Sequence, residues 1–264
     1  MNNKEYFKAL DERELKLLKR LNYIFETSKS KYKQELVEIA KKDADFLEKV
    51  LNNRVEGHDF GAIKSQMFRE IDELNVIAYK SIAEYYYKLA IKQLENNVDI
   101  QVKDKYNEKT FNEVLNKFIV AKGINYSYKP ELERRLDYFD NQMVNANLAH
   151  IYSKMPNEPK KSDVLRVIEG FNANNTQVRD TLRTQKHQFG NFIDNVAVSV
   201  AVSSALKAYE DNNIEKVLWI AEQDERTCEI CNGYHGKVFD IDKVPDIPVH
   251  ANCRCHLEPY KRKK

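Results

Sequence analysis

Residues 217–260 read VLWIAEQDERTCEICNGYHGKVFDIDKVPDIPVHANCRCHLEPY and hold every cysteine of the 264-residue chain. The pattern is Cys228-x-x-Cys231, eighteen intervening residues, then His250-x-x-Cys253-x-Cys255. Two compact sets of thiol and imidazole donors joined by a short loop can wrap one tetrahedral ion, and this donor chemistry selects zinc over calcium or magnesium. The Cys-x-x-Cys spacing predicts a turn that presents both sulfurs to one point. Asn232-Gly233 after it is expected to supply left-handed backbone. Five candidates compete for four positions. If Cys253 to Cys255 is extended, their side chains face opposite ways and only one reaches the ion. The spacing leaves open which one. Disulfides are the alternative state of the same cysteines, and a single structural zinc is the reading adopted here. A catalytic ion would need an open coordination position with a base beside it, for which Asp224, Glu225, His235 and His256 are the nearby residues. With enough soft donors to close the shell, His235 and His256 read instead as surface residues. Asp224 and Thr227 bracket the turn into Cys228 as caps for backbone amides, and Trp219 reads as the core of the module.

Working outward, Val217 to Ala221 and Lys237 to Ile241 are short apolar runs suited to strands, and Pro245, Pro248 and Pro259 argue against helix. Upstream the character is helical. The first proline is Pro130, and only Gly57, Gly61 and Gly123 interrupt the preceding stretch. Leu18, Phe25, Tyr32, Ile39 and Phe46 recur every seven residues, which predicts one long helix from about Asp11 to Asn53. A turn over Val55 to Phe60 leads to a second long helix ending near Asn96-Asn97, packed antiparallel on the first. Tyr85, Tyr86 and Tyr87 point around that helix and read as packing residues, not a stacking platform. Further helices are expected over 107–120 and 131–154, with His150 an ordinary histidine. The proline-bearing stretch from Met155 to Lys161 is the domain boundary, followed by a helix N-capped by Ser162 and a loop over Asn172 to Asn175. Val178 to Glu210 completes the helical part: Val196, Val198, Val200 and Val202 alternate as a strand would, but small neighbours favour a tightly packed helix.

The fold class is therefore mainly α, with long antiparallel helices followed by a small C-terminal α+β metal-binding module. The expected domains are 1–155, an elongated helical domain, and 162–264, comprising helices over 162–210 and a zinc-ribbon-like β module over 214–260. Forty-three basic against forty-one acidic residues leave a net charge of +2, with no overall commitment to nucleic acid. Met1 to Lys19 is charged where a signal peptide would be apolar, and no membrane partner is expected.

The series Trp219, Asp224-Glu225-Arg226-Thr227-Cys228-x-x-Cys231, Gly236-Lys237-Val238-Phe239, Pro248-x-His250-x-Asn252-Cys253-Arg254-Cys255 and Pro259 resembles the phage Mu F-like minor head protein family. The resemblance is specific over about Val217 to Tyr260 and weaker back to Ser162. It implies a minor capsid protein of a tailed phage or prophage, made in the host cytoplasm and incorporated into the virion during head morphogenesis. Portal protein and other head or scaffold components are the implied partners, with packaged phage DNA close by and several copies per virion. It also implies a metal-ligand role for Cys228, Cys231, His250, Cys253 and Cys255. An Arg-Thr-Glu element common in similar proteins is missing from Phe192 to Ala208. The expected protein is not an enzyme; the competing expectation is a metal-dependent nuclease. Exposed apolar seams on the helical arm are the expected partner surface.

Overall fold

The structure is a computed structural model that describes residues 3–43, 45, 48–49, 60–97, 101–117, 128–170 and 175–260. Among these residues the chain forms α1 (Asn3–Lys42), α2 (Gly61–Asn97), α3 (Glu108–Lys117), α4 (Tyr128–Ser153), α5 (Lys161–Glu169) and α6 (Thr176–Asp211). The C-terminal part follows as β1 (Lys216–Ile220), α7 (Glu229–Tyr234), β2 (Val238–Asp240) and β3 (His256–Pro259). This is the mainly helical chain with a small C-terminal α+β module that the sequence predicts.

The first helix starts earlier and stops sooner than its heptad pattern suggests. Past Lys42 the Asp43 carboxylate accepts the Asp45 amide at 2.9 Å, a local turn that competes with the helical ladder. The expected turn over Val55 to Phe60 lies outside the described residues except for Phe60, as do the loop from Asn172 to Asn174 and the expected helix end at 118–120. Helix α5 is capped differently from expectation: Lys160 holds the cap position and its amide donates to the Asp163 carboxylate at 3.0 Å, which leaves Ser162 inside the first turn. Asn175 caps α6, its Oδ1 accepting the Val178 amide at 3.1 Å.

Contacts divide the chain into two compact units. One contains Leu18–Glu73 and Leu132–Phe189. Phe25 packs edge-on against Phe139 and Phe189 there, with ring centroids 4.8 and 5.1 Å apart, and Tyr32 lies 5.5 Å from Phe60. Phe25, Tyr32 and Leu36 are fully buried, so the heptad seam serves the unit's own core. It is not the exposed partner surface expected from sequence. Lys29, a gap in the seam, is buried but ion-paired to Glu26 at 2.8 Å.

The other unit contains Met1–Leu17, Leu74–Glu131 and Gly190–Lys264. Tyr86 and Tyr87 are buried in it, as packing residues should be. The Tyr87 hydroxyl donates to Asp211 at 2.8 Å, and Asn212 exchanges hydrogen bonds with the Lys103 backbone, fixing 101–107 to the end of α6. Val196 to Val202 is helical and buried on every side. A helix apolar all round belongs in a core, which is why its alternation carries no strand information. By length and composition α6 is also apolar enough to cross a membrane, yet 72% of its apolar window is buried within the protein.

The sheet has the order β2-β1-β3, antiparallel throughout. β1 pairs Val217 with Phe239 on one side and Trp219 with Leu257 on the other. The strand β3 contains Pro259 and is absent from the sequence expectation. Proline is tolerated because β3 is an edge strand: the Tyr260 amide points inward to the Lys216 carbonyl at 2.9 Å, so the preceding position faces away from β1 and gives up no ladder bond.

Candidate metal centre

Strand β1 and the start of β3 bring the two donor sets to one end of the sheet. Pairing of Ile220 with His256 sets the exit of β1 beside Cys255. The chain leaving β1 makes a knotted turn: Arg226 donates its amide to Asp224 Oδ1 at 3.0 Å, and the Asp224 amide donates to Thr227 Oγ1 at 3.1 Å. The Thr227 hydroxyl in turn donates to the Glu222 carbonyl. Asp224 and Thr227 thus cap backbone groups as their positions predict. The turn delivers Cys228 as the N-cap of α7, whose Sγ accepts the Cys231 amide at 3.4 Å. Asn232 and Gly233 lie within α7, and the left-handed backbone expected there occurs instead at Gly236 (φ 76°) and Asn252 (φ 60°).

Cys253 and Cys255 do not face opposite ways, since both reach Cys231. The donor atoms of Cys231, Cys253 and Cys255 lie within 4.8 Å of one another, as do those of Cys228, Cys231 and His250. Cys231 Sγ, common to both sets, is 3.1 Å from His250 Nε2 and 3.9 Å from Cys253 Sγ. Bonds of about 2.3 Å to sulfur and 2.0–2.1 Å to nitrogen put tetrahedral ligands of zinc roughly 3.5–3.8 Å apart, so the donors fit such an ion. His250 Nδ1 is 2.7 Å from the Ala251 carbonyl. Donation to that carbonyl puts the proton on Nδ1 and leaves the Nε2 lone pair aimed at the sulfurs, the orientation a ligating imidazole needs.

Crowding splits the thiols, favouring the thiolate at Cys228 and Cys253 and the protonated form at Cys231 and Cys255. The Cys255 thiol, with backbone amides and His250, pulls Cys253 down to about 5. The Cys231 amide lowers Cys228. Burial pushes Cys231 up to about 12, and Cys253 followed by burial raises Cys255. Burial opposes charge on His250, but the Ala251 carbonyl and the facing Cys253 and Cys228 raise it on balance. A divalent ion would relieve this competition by displacing protons.

Around the donors, Trp219 is fully buried, its ring 4.8 Å from Tyr234 and 6.1 Å from Phe239. The cavity beside Thr227, Cys228, His250 and Cys255 measures only about 10 Å³. His235 lies outside the cluster, exposed, accepting the Ala221 amide through Nδ1 at 3.2 Å. His256 is half-buried, contrary to its reading as a surface residue, and stands 3.8 Å from Glu258. One residue escapes the sequence reading: Arg254 grips Asp224 with both ends of its guanidinium, Nη1 to Oδ2 at 2.7 Å and Nη2 to Oδ1 at 2.5 Å. This holds the Asp224 carboxyl at about 2.

Residues 167–258 match the family described as Phage Mu protein F like protein. The matched segment is similar to that family. Comparison with curated proteins and with solved structures gives no match. All five donors, the Asp224–Arg254 pair and Trp219 fall within the Mu F-like segment, which runs from the last turn of α5 almost to the end of β3.

Proposed function

We propose that this chain is a minor head protein of a tailed phage or prophage, a non-enzymatic virion component whose Mu F-like part is knit together by one structural zinc. The observation that carries this reading is the convergence, inside the Mu F-like segment, of donors from Cys228–Cys231 and His250–Cys255 on the shared sulfur of Cys231. Sulfur and imidazole in this number close a tetrahedral shell. A filled shell leaves no open position for an attacking water, which supports a structural ion over a nuclease centre.

In this reading residues 1–155 are a helical arm directed at portal, scaffold or other head components, and 162–264 are the zinc-stabilised part. The protein acts in the capsid near packaged DNA, in more than one copy, after assembly in the host cytoplasm. Elemental analysis of purified full-length protein should give one zinc per chain in the wild type and a loss in Cys231→Ser. Mass spectrometry of purified heads should find the chain in stoichiometric association with the portal. Its absence from heads, or zinc-dependent plasmid cleavage abolished by His250→Ala with the fold intact, would replace this reading with the nuclease one.

A further inference from the structure

The two donor sets are far apart in sequence and are tied to the sheet differently. β1 stops at Ile220, so residues 221–227 lie between the sheet and Cys228, while His256 begins β3 directly after Cys255. Sheet pairing therefore fixes Cys255 directly, whereas Cys228 and Cys231 lie within the β1–β2 loop, which returns to the sheet where the Gly236 amide donates to the Trp219 carbonyl at 2.9 Å. What crosses from that loop to the other donor set is the bidentate Arg254–Asp224 pair. Arg254 stands between Cys253 and Cys255, and Asp224 heads the turn that delivers Cys228. The side chains are only 20% and 26% exposed, and the fork meets both carboxylate oxygens, which fixes orientation as well as distance.

We propose that Asp224 and Arg254 are positioning residues for the ion: their clamp brings the Cys228–Cys231 set against the His250–Cys255 set before metal arrives, and so sets how tightly the chain holds zinc. The inference rests on the metal reading above. Neither side chain touches the ion. The clamp acts by removing the freedom of the 221–227 loop that binding would otherwise have to suppress, a cost that appears as weaker affinity and faster loss.

The test uses full-length protein, Zn²⁺ and a competing chromophoric chelator. Asp224→Asn and Arg254→Lys should each weaken zinc binding about 10- to 100-fold and speed its release. Helical circular dichroism and the emission of the sole tryptophan in the zinc-loaded form should stay as in the wild type. Arg254→Lys keeps the charge and much of the volume, which makes it the variant that folds if Asp224→Asn does not. The exchanged pair Asp224→Arg with Arg254→Asp should recover part of the affinity, which a merely structural role for either residue would not give. Wild-type affinity in both single variants overturns the clamp while leaving the zinc site standing. Failure of the wild type to bind zinc, or binding undiminished in Cys231→Ser, overturns the metal reading and the clamp with it.

Discussion

Glu26 shows how a single side chain in the helical unit takes its properties from its neighbours. Burial raises its carboxyl, but hydrogen bonds from Lys29 and Lys186, at 2.8 and 2.9 Å, outweigh that and leave it below the ordinary glutamate value of 4.5. A folded-state pKa below the unfolded one means stabilisation that is complete above the unfolded value and lost as pH falls through the folded one. Urea midpoints measured at pH 7 and pH 3.5 should therefore drop less in Glu26→Gln than in the wild type; equal drops would show that the network contributes nothing. Trp219 is a packing case. It is fully buried against Tyr234 and Phe239, and in so small a module Trp219→Ala should cost about 3–5 kcal/mol of module stability, read from chemical denaturation of the zinc-loaded protein. At this scale the grouping of the five candidate donors is legible in the sequence because cysteine clustering is visible without a fold. The Asp224–Arg254 pair is not, since its partners lie thirty positions apart and meet only through the β1–β3 register.

At the scale of elements, α6 is the piece against which the sheet and α2 are fastened. The Tyr209 hydroxyl lies 2.8 Å from Gln93 Oε1 on α2 and 3.2 Å from the Leu257 carbonyl on β3. Removing it in Tyr209→Phe leaves an acceptor there without its donor and should cost about 1–3 kcal/mol, seen as a lowered thermal midpoint with an unchanged helical spectrum. Ala208, fully buried on the same helix, should tolerate enlargement poorly, Ala208→Leu costing about 1–3 kcal/mol through displaced neighbours. Long helices with three-and-four spacing are readable from sequence because every turn repeats the signal. Short elements lack that redundancy. α7 is six residues long, contains Gly233 and is capped by a sulfur, so neither length nor the usual oxygen cap announces it. β3 is hidden by Pro259, which signals a break until pairing with β1 shows it to be an edge.

For the molecule as a whole, the helices and the candidate metal centre draw on different forces: the helical parts bury their own apolar stripes, while the C-terminal module has few large apolar residues and a cluster of thiols and imidazole in their place. Chelation of zinc from the intact protein should shift Trp219 emission to longer wavelength and leave most of the helical far-UV signal, with both restored by added zinc. A collapse of the helical signal on chelation would show that the ion supports far more than its module. Pro259 has one more consequence. An unpaired sheet edge is a template for another strand, and on the outer flank of β3 the Leu257 carbonyl is already met by the Tyr209 hydroxyl at 3.2 Å. Pro259 adds a position with no amide hydrogen on the same flank, so an incoming strand finds neither rung free and edge-to-edge growth along that side is discouraged.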